Sequence, residues 1–135
     1  MKGDYWQYVE YDILLWYKKV IEVEFYSTEN NKCPVLEFLE TLDDKMKAKV
    51  FRAIDLLEEN GHELREPSSK SLGDGIFELR VKQSSNISRI LYFFYVGNKA
   101  VLTNGFIKKT QKTPLSEIRL AKKYKVDYER RMIND

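Results

Sequence analysis

Alternation of apolar and polar residues is clearest between residues 72 and 114, where it predicts an antiparallel β-meander. Three runs rich in β-branched and aromatic residues cover residues 72–82, 88–96 and 100–109, and Gly, Asn and Ser cluster in the turns between them. The first run separates apolar from charged residues on its two faces. The apolar set is Phe77, Leu79 and Val81, and the charged set is Glu78, Arg80 and Lys82. The second run is apolar on both faces, which predicts a central strand.

The chain before the meander predicts one strand and two helices. Residues 20–26 mix a short alternation with β formers and predict the first strand. Pro34 suits the first position of a short helix, and Asp43 or Asp44 suits the cap of a longer helix that ends near Asn60. Residues 67–70 are expected to be a connector that leads into the meander.

A final helix is predicted after the meander. Thr113 suits its cap and Pro114 its first residue, and the helix is expected to end near Arg131, with Leu115, Ile118, Ala121 and Tyr128 facing the sheet. The predicted fold is therefore an α+β single domain over residues 18–135. Residues 1–17 are rich in aromatic side chains without a clean period and are expected to form an N-terminal arm of unknown role.

Length and composition limit the number of domains, the cellular compartment and the metal sites that can be expected. The chain has 135 residues, enough for one domain with one core. It has no stretch of ~18 apolar residues and no basic, apolar leader, so a cytoplasmic protein with no membrane contact is expected. Cys33 is the only cysteine, which rules out an internal disulfide and fits a reducing compartment. One cysteine and one histidine cannot complete a structural zinc site, so no metal is expected.

The small net charge of +2 hides an uneven distribution along the chain. Residues 1–66 contain 9 Lys and Arg against 15 Asp and Glu, a net charge of −6, whereas residues 67–135 contain 14 against 6, a net charge of +8. A basic half of this kind indicates a polyanionic partner, although two solvated faces of opposite charge would give the same count.

Cations gather along the meander and form the candidate site. They are Arg80, Arg89, Lys108, Lys109 and Lys112, and they need water or an anion between them because five like charges cannot share a dry site. Arginine forks suit the non-bridging oxygens of an RNA phosphate, and attack by the neighbouring 2′-OH requires no external water. Glu78 or a lysine of lowered pKa could take the proton, and a salt bridge between Glu78 and Arg80 is the structural alternative. His62 is the only histidine, which excludes a nuclease that relies on two.

Three motifs in fixed order resemble the RelE/HigB superfamily of toxins, and within it the phage-derived Gp49-like HigB branch. They are residues 75–80 (GIFELR), 88–94 (SRILYFF) and 104–114 (NGFIKKTQKTP). Residues 26–30 (YSTEN) and 34–39 (PVLEFL) resemble the opening strand and helix of that branch. The resemblance covers about residues 18–131 and leaves the N-terminal arm outside.

The resemblance implies a RelE-like fold, the toxin of a type II toxin–antitoxin pair, and a helix-turn-helix antitoxin of the HigA type as partner. It further implies a metal-independent endoribonuclease, without cofactor, that cleaves mRNA at the ribosomal A site and so inhibits translation. By position, Arg89 matches the strand arginine placed at the scissile phosphate, Arg80 a basic residue on the neighbouring strand, and Lys108 or Lys109 the basic residue after the last strand. Lys82, Lys109, Lys112 and Tyr92 are the remaining substrate-binding candidates.

The sequence departs from RelE at two positions. Glu78 stands where RelE carries a second strand lysine, and no tyrosine lies near Pro114, where RelE has its C-terminal tyrosine. Tyr92 is a substitute candidate and also a plausible core residue. Two other functions stay open: a ParE-like toxin that inhibits DNA gyrase, and a non-catalytic remnant that binds RNA or protein.

Overall fold

The fold of residues 19–107 and 112–134, which a computed structural model describes, is a five-stranded sheet with helices on both faces. In chain order the elements are β1 (Glu22–Phe25), α1 (Pro34–Glu40), α2 (Asp44–Asn60), a short 3-10 helix (Gly61–Glu63), β2 (Ser69–Gly73), β3 (Ile76–Gln83), β4 (Asn86–Tyr95), β5 (Lys99–Ile107) and α3 (Leu115–Asn134). The predicted α+β class and the RelE-like arrangement of elements are confirmed. The predicted N-terminal arm, residues 1–17, lies outside the described residues.

The strand order in the sheet is β1-β5-β4-β3-β2. Strands β2 to β5 form a meander in which every neighbouring pair is antiparallel, whereas β1 joins the far edge parallel to β5. The meander has one more strand than the sequence predicted, because Ser69–Gly73 pairs with β3 instead of forming a connector. The predicted central strand, β4, is indeed flanked on both sides.

The first two helices begin where the sequence predicts, and α2 also ends where it predicts. Pro34 occupies the first turn of α1, where a missing N–H costs nothing. Asp43 caps α2 by accepting a hydrogen bond of 2.7 Å from the backbone N–H of Met46. Gly61 ends α2 with a φ of +54°, a conformation that glycine adopts without steric cost.

Each sheet face has its own apolar cluster. Helices α1 and α2 cover the face that carries Leu79, Val81, Ile90, Tyr92 and Leu102. Helix α3 covers the opposite face, which carries Ile76, Leu91, Phe93 and Val101. Because side chains alternate along a strand, each central strand contributes to both clusters. We call these the α2 face and the α3 face.

Hydroxyl–carboxylate bonds fasten α3 to the first strand and the residues after it. Tyr26 donates a hydrogen bond of 2.6 Å to Asp127, and Tyr128 donates one to Glu24 of β1. The tyrosine rings also pack, with Tyr26 and Tyr124 stacked at 4.5 Å between centroids. Ala121 and Tyr128 are buried as predicted.

The start of α3 differs from the prediction. The helix begins at Leu115 and not at Pro114, and Leu115 is 60% exposed where a contact with the sheet was expected. The Thr113 hydroxyl, expected to cap the helix, contacts charged groups of the sheet instead. None of the helices in the described part of the chain is both long and apolar enough to cross a membrane.

Candidate functional site

A buried cluster of charges lies between β3, β4 and the segment before α3. The antiparallel register sets Arg80 opposite Arg89, and Glu78 lies two residues from Arg80 on the same face of β3. Glu78 and Arg89 are both 0% exposed, whereas the side chain of Arg80 is 21% exposed. Thr113, which is also buried and lies just before α3, completes the cluster through its contacts with Glu78 and Arg89.

Both oxygens of the Glu78 carboxylate have partners. Oε1 lies 2.9 Å from Nε of Arg80 and 3.3 Å from Nε of Arg89, and Oε2 accepts a hydrogen bond from the Thr113 hydroxyl. That hydroxyl in turn accepts a hydrogen bond of 3.2 Å from Nη1 of Arg89. A buried charge is tolerated when it is paired and hydrogen-bonded in this way. Glu78 therefore fixes the directions of both arginines.

A small cavity of about 160 Å³ opens beside this cluster. Three cationic side chains line it, each from a different segment: Lys70 of β2, Arg80 of β3 and Lys112 before α3. Glu78 and Thr113 form its inner wall, and Leu72, Leu115 and Ile118 complete the lining. We call this cavity the cationic pocket. It is smaller than the about 300 Å³ of the smallest drug-sized sites, so it suits a single anionic group.

Lys70 belongs to the pocket although the sequence did not single it out. It pairs with Glu78 in the β2–β3 register, so its side chain starts on the same sheet face as Glu78 and Arg80. The alternation of Lys70 and Leu72 with serines was the available signal, and it is weak because Ser, Lys and Gly are poor strand formers.

The comparison with known families agrees with this architecture. Residues 37–125 match the family described as phage derived protein Gp49-like (DUF891). The chain belongs to this family. The match confirms the predicted Gp49-like branch and includes β2 to β5, the cationic pocket and the first half of α3. The Gp49-like family is associated with phage-derived proteins of the toxin–antitoxin kind. No curated protein matches the chain.

Arg89, predicted to bind the scissile phosphate, occupies the interior of the cluster in this Gp49-like protein. Its side chain is fully buried and paired with Glu78, while Arg80 reaches the cationic pocket. The structure thus brings Glu78, Arg80, Arg89 and Lys112 together. Lys108 and Lys109 lie outside the described residues.

Two other predicted residues lie away from the cationic pocket. Lys82 is exposed at the end of β3 and lines a separate groove against α2, where its carbonyl oxygen accepts a bond of 3.4 Å from Lys49. Tyr92 is buried on the α2 face and its hydroxyl is hydrogen-bonded to Ser69. Burial raises the pKa of Tyr92, and the Ser69 contact opposes this shift only in part.

Among residues 19–107 and 112–134, no three His, Cys, Asp or Glu side chains lie close enough together to hold a metal ion. At the cationic pocket the ammonium groups of Lys70 and Lys112 and the guanidinium of Arg80 are donors that suit an oxyanion.

Proposed function

We propose that this protein is the toxin of a type II toxin–antitoxin pair and that it cleaves mRNA on the translating ribosome. Membership of the Gp49-like family supports the toxin role. The observation that carries the nuclease is the cationic pocket, in which Lys70, Arg80 and Lys112 converge beside a buried carboxylate. A phosphate group of single-stranded RNA is the ligand that this charge and this size suit best.

Arg80 and Lys112 hold the scissile phosphate in the proposed reaction. The 2′-OH of the preceding nucleotide loses its proton to solvent and attacks phosphorus, the bond to the 5′-oxygen breaks, and the products are a 2′,3′-cyclic phosphate and a 5′-hydroxyl that takes its proton from solvent. The charge that grows on the non-bridging oxygens is offset by the two cations. The Glu78 carboxylate fixes the orientation of the Arg80 guanidinium through their 2.9 Å contact. Arg89 acts from behind as a positioning residue, because it touches Glu78 and Thr113 from a site without solvent exposure.

The proposed partner is a helix-turn-helix antitoxin of the HigA type. An acidic segment of that antitoxin would compete with RNA for the cations of the pocket, since both present oxyanions to the same donors. Excess purified antitoxin should therefore protect mRNA from cleavage.

The variants that test the nuclease are Arg80→Gln and Lys112→Ala, with Lys45→Ala as the matched control. Lys45 is an exposed lysine in the first turn of α2 and lines no part of the pocket. Each protein is induced without antitoxin, and primer extension maps cuts in an abundant mRNA. We expect wild type and Lys45→Ala to cut inside codons only while translation runs. Removal of one transition-state donor should lower cleavage by about 10²- to 10³-fold.

Three results would contradict the proposal. Full cleavage by both pocket variants would show that the pocket is not the site. Growth arrest with DNA-damage signalling and no mRNA cuts would indicate a ParE-like gyrase inhibitor. Unimpaired growth on induction of wild type would indicate a non-catalytic remnant.

A further inference from the structure

A second groove lies on the α2 face of the sheet edge, on the opposite side of β2 from the cationic pocket. It has a volume of about 600 Å³, within the range of sites that hold a molecule of nucleotide size. Two rings line it, from Phe77 of β3 and from His62 in the 3-10 helix. Its polar rim contains Arg65, Glu66, Ser69, Lys70 and Ser71, with Leu64 between them.

The two rings are held in place from behind. His62 is exposed, and its ring centroid lies 3.8 Å from that of Phe94. Phe77 is half-buried and packs against Tyr92 at 5.5 Å and against Phe94 at 5.1 Å. Side chains fixed in this way lose little conformational freedom when a flat ligand stacks on them.

The edge strand β2 is the wall between the groove and the cationic pocket. Ser69 and Ser71 pair with Leu79 and Phe77 and face the groove, whereas Leu72 packs in the cluster of the α3 face. Lys70, a long side chain at the sheet edge, lines both cavities. A chain of linked phosphates that passes over β2 beside Lys70 would therefore reach both.

We infer that the groove binds the base of a nucleotide next to the phosphate held in the cationic pocket, by stacking on His62 and Phe77. The inference rests on the proposed function and deepens it, since it gives the protein a contact with single-stranded RNA beyond the reacting phosphate. Unpaired RNA bases stack on aromatic side chains with little dependence on the RNA sequence, because every base has a flat face.

The charges at the rim agree with this occupant. The Arg65 guanidinium is oriented by the hydrogen bonds of 2.6 Å and 3.3 Å that it donates to the backbone carbonyl oxygens of His62 and Leu64. With Lys70 it gives the rim two cations against the single carboxylate of Glu66. A single nucleic-acid strand suits such a rim, because its phosphates bind cations and its bases stack on exposed rings.

Binding of a fluorescent 2′-fluoro RNA strand of ~8 nucleotides tests the inference, since such a strand has no 2′-OH and cannot be cut. His62→Ala and Phe77→Leu should each weaken binding by about 5- to 100-fold at low salt. His62→Tyr should restore it, because a ring returns to the same position. Phe51→Leu is the control, since Phe51 is 48% exposed on α2 and lines neither cavity.

Cross-linking gives a second readout that needs no variant. A 5-iodouridine placed next to the bound phosphate in the same strand should cross-link to His62 or Phe77, as mapped by mass spectrometry. Cross-links only on the α3 face would overturn the inference.

The outcomes separate this inference from the proposed function. If Arg80→Gln and Lys112→Ala weaken binding while His62→Ala and Phe77→Leu bind like wild type, the groove is not a base site and the nuclease proposal stands. If wild type binds no RNA strand, the groove inference is wrong, and mRNA cleavage is decided separately by primer extension. Weak binding by folded groove variants, with rescue by His62→Tyr, would support it.

Discussion

Arg89 carries its positive charge in a position without solvent exposure, beside a Glu78 carboxylate that is equally buried. Taking each ion out of water costs several kcal/mol, and their mutual attraction with the Thr113 hydroxyl offsets that cost. Each member of the pair is therefore stable in the core only while the other is present.

Arg89→Ala should lower the free energy of unfolding by about 3–5 kcal/mol, because it leaves the Glu78 carboxylate buried beside fewer donors. Arg80→Gln should cost less, since Arg80 is partly exposed and Arg89 still faces Glu78. Chemical denaturation of the three proteins measures both effects. Glu78→Gln in the Arg89→Ala background should recover part of the loss. Equal stability of Arg89→Ala and wild type would show that the buried pair contributes little.

Sequence patterns predicted correctly that Glu78, Arg80 and Arg89 lie together. They were less informative about the role of each residue. Strand alternation placed Glu78 and Arg80 together, and the turn between β3 and β4 brought Arg89 to them. Alternation does not tell what covers a face, so the burial of Arg89 under Thr113 could not be predicted. For this reason Arg80 and Lys112, which reach the pocket, are better probes of chemistry than Arg89, whose loss would also affect folding.

At the scale of elements, the hydrogen bond between Tyr26 and Asp127 of α3 makes the free energy of unfolding decrease as the pH rises into the alkaline range. Burial, and then the hydrogen bond to Asp127, raise the pKa of Tyr26 from 10.0 to about 12. The folded state therefore keeps this proton to higher pH than the unfolded chain does. The resulting stabilisation is complete below pH 10 and is lost as pH rises from about 10 to 12.

Tyr26→Phe should flatten the decrease in stability over this pH range, because no hydroxyl remains to ionise. Denaturation curves collected between pH 9 and pH 12 measure the slope. Tyr95→Phe is the matched control, since it leaves the bond between Tyr26 and Asp127 in place. A slope that is the same in Tyr26→Phe and wild type would contradict the assignment.

Element prediction succeeded where caps and periodicity agree with the tertiary structure. Helix α2 runs from its Asp43 cap to Gly61 as expected. Strand β2 was missed because its residues, Ser69–Gly73, have little strand preference of their own; their pairing with β3 imposes the extended conformation. The parallel pairing of β1 with β5 could not be predicted either, since local patterns carry no information about which distant strand will pair.

At the scale of the whole molecule, the acidic and basic halves of the sequence become different parts of the fold. The acidic half supplies β1, α1 and α2, and the basic half supplies the rest of the sheet and α3. Several α3 cations are neutralised locally, as Lys122 is by Asp74 at 2.7 Å and Arg130 by Asp127 at 2.7 Å. The lining of the cationic pocket, by contrast, has three cations, Lys70, Arg80 and Lys112, against the single carboxylate of Glu78, so positive charge remains there for RNA.

The salt dependence of RNA binding should show whether the cations of the cationic pocket contact phosphates. For single-stranded RNA, the slope of log binding constant against log salt is about −0.7 per phosphate neutralised. Lys112→Ala should make the slope shallower by about 0.7, uniformly across RNA sequences, because it removes one phosphate contact. Titrations at several salt concentrations measure it, and Lys45→Ala should keep the wild-type slope. An unchanged slope in Lys112→Ala would place the RNA elsewhere.

The parallel edge of the sheet bears on how this protein is made. Glu22 of β1 lies opposite Lys99 of β5. Strand β1 is therefore synthesised early but can pair only after β5 has been synthesised. Lys112 and Thr113, which complete the cationic pocket, follow later still. Since synthesis proceeds from the N-terminus, a chain that ends before residue 99 has no strand to pair with β1, and one that ends before residue 112 has no finished pocket. A nascent chain that stops short of Lys112 and Thr113 therefore lacks the cationic pocket.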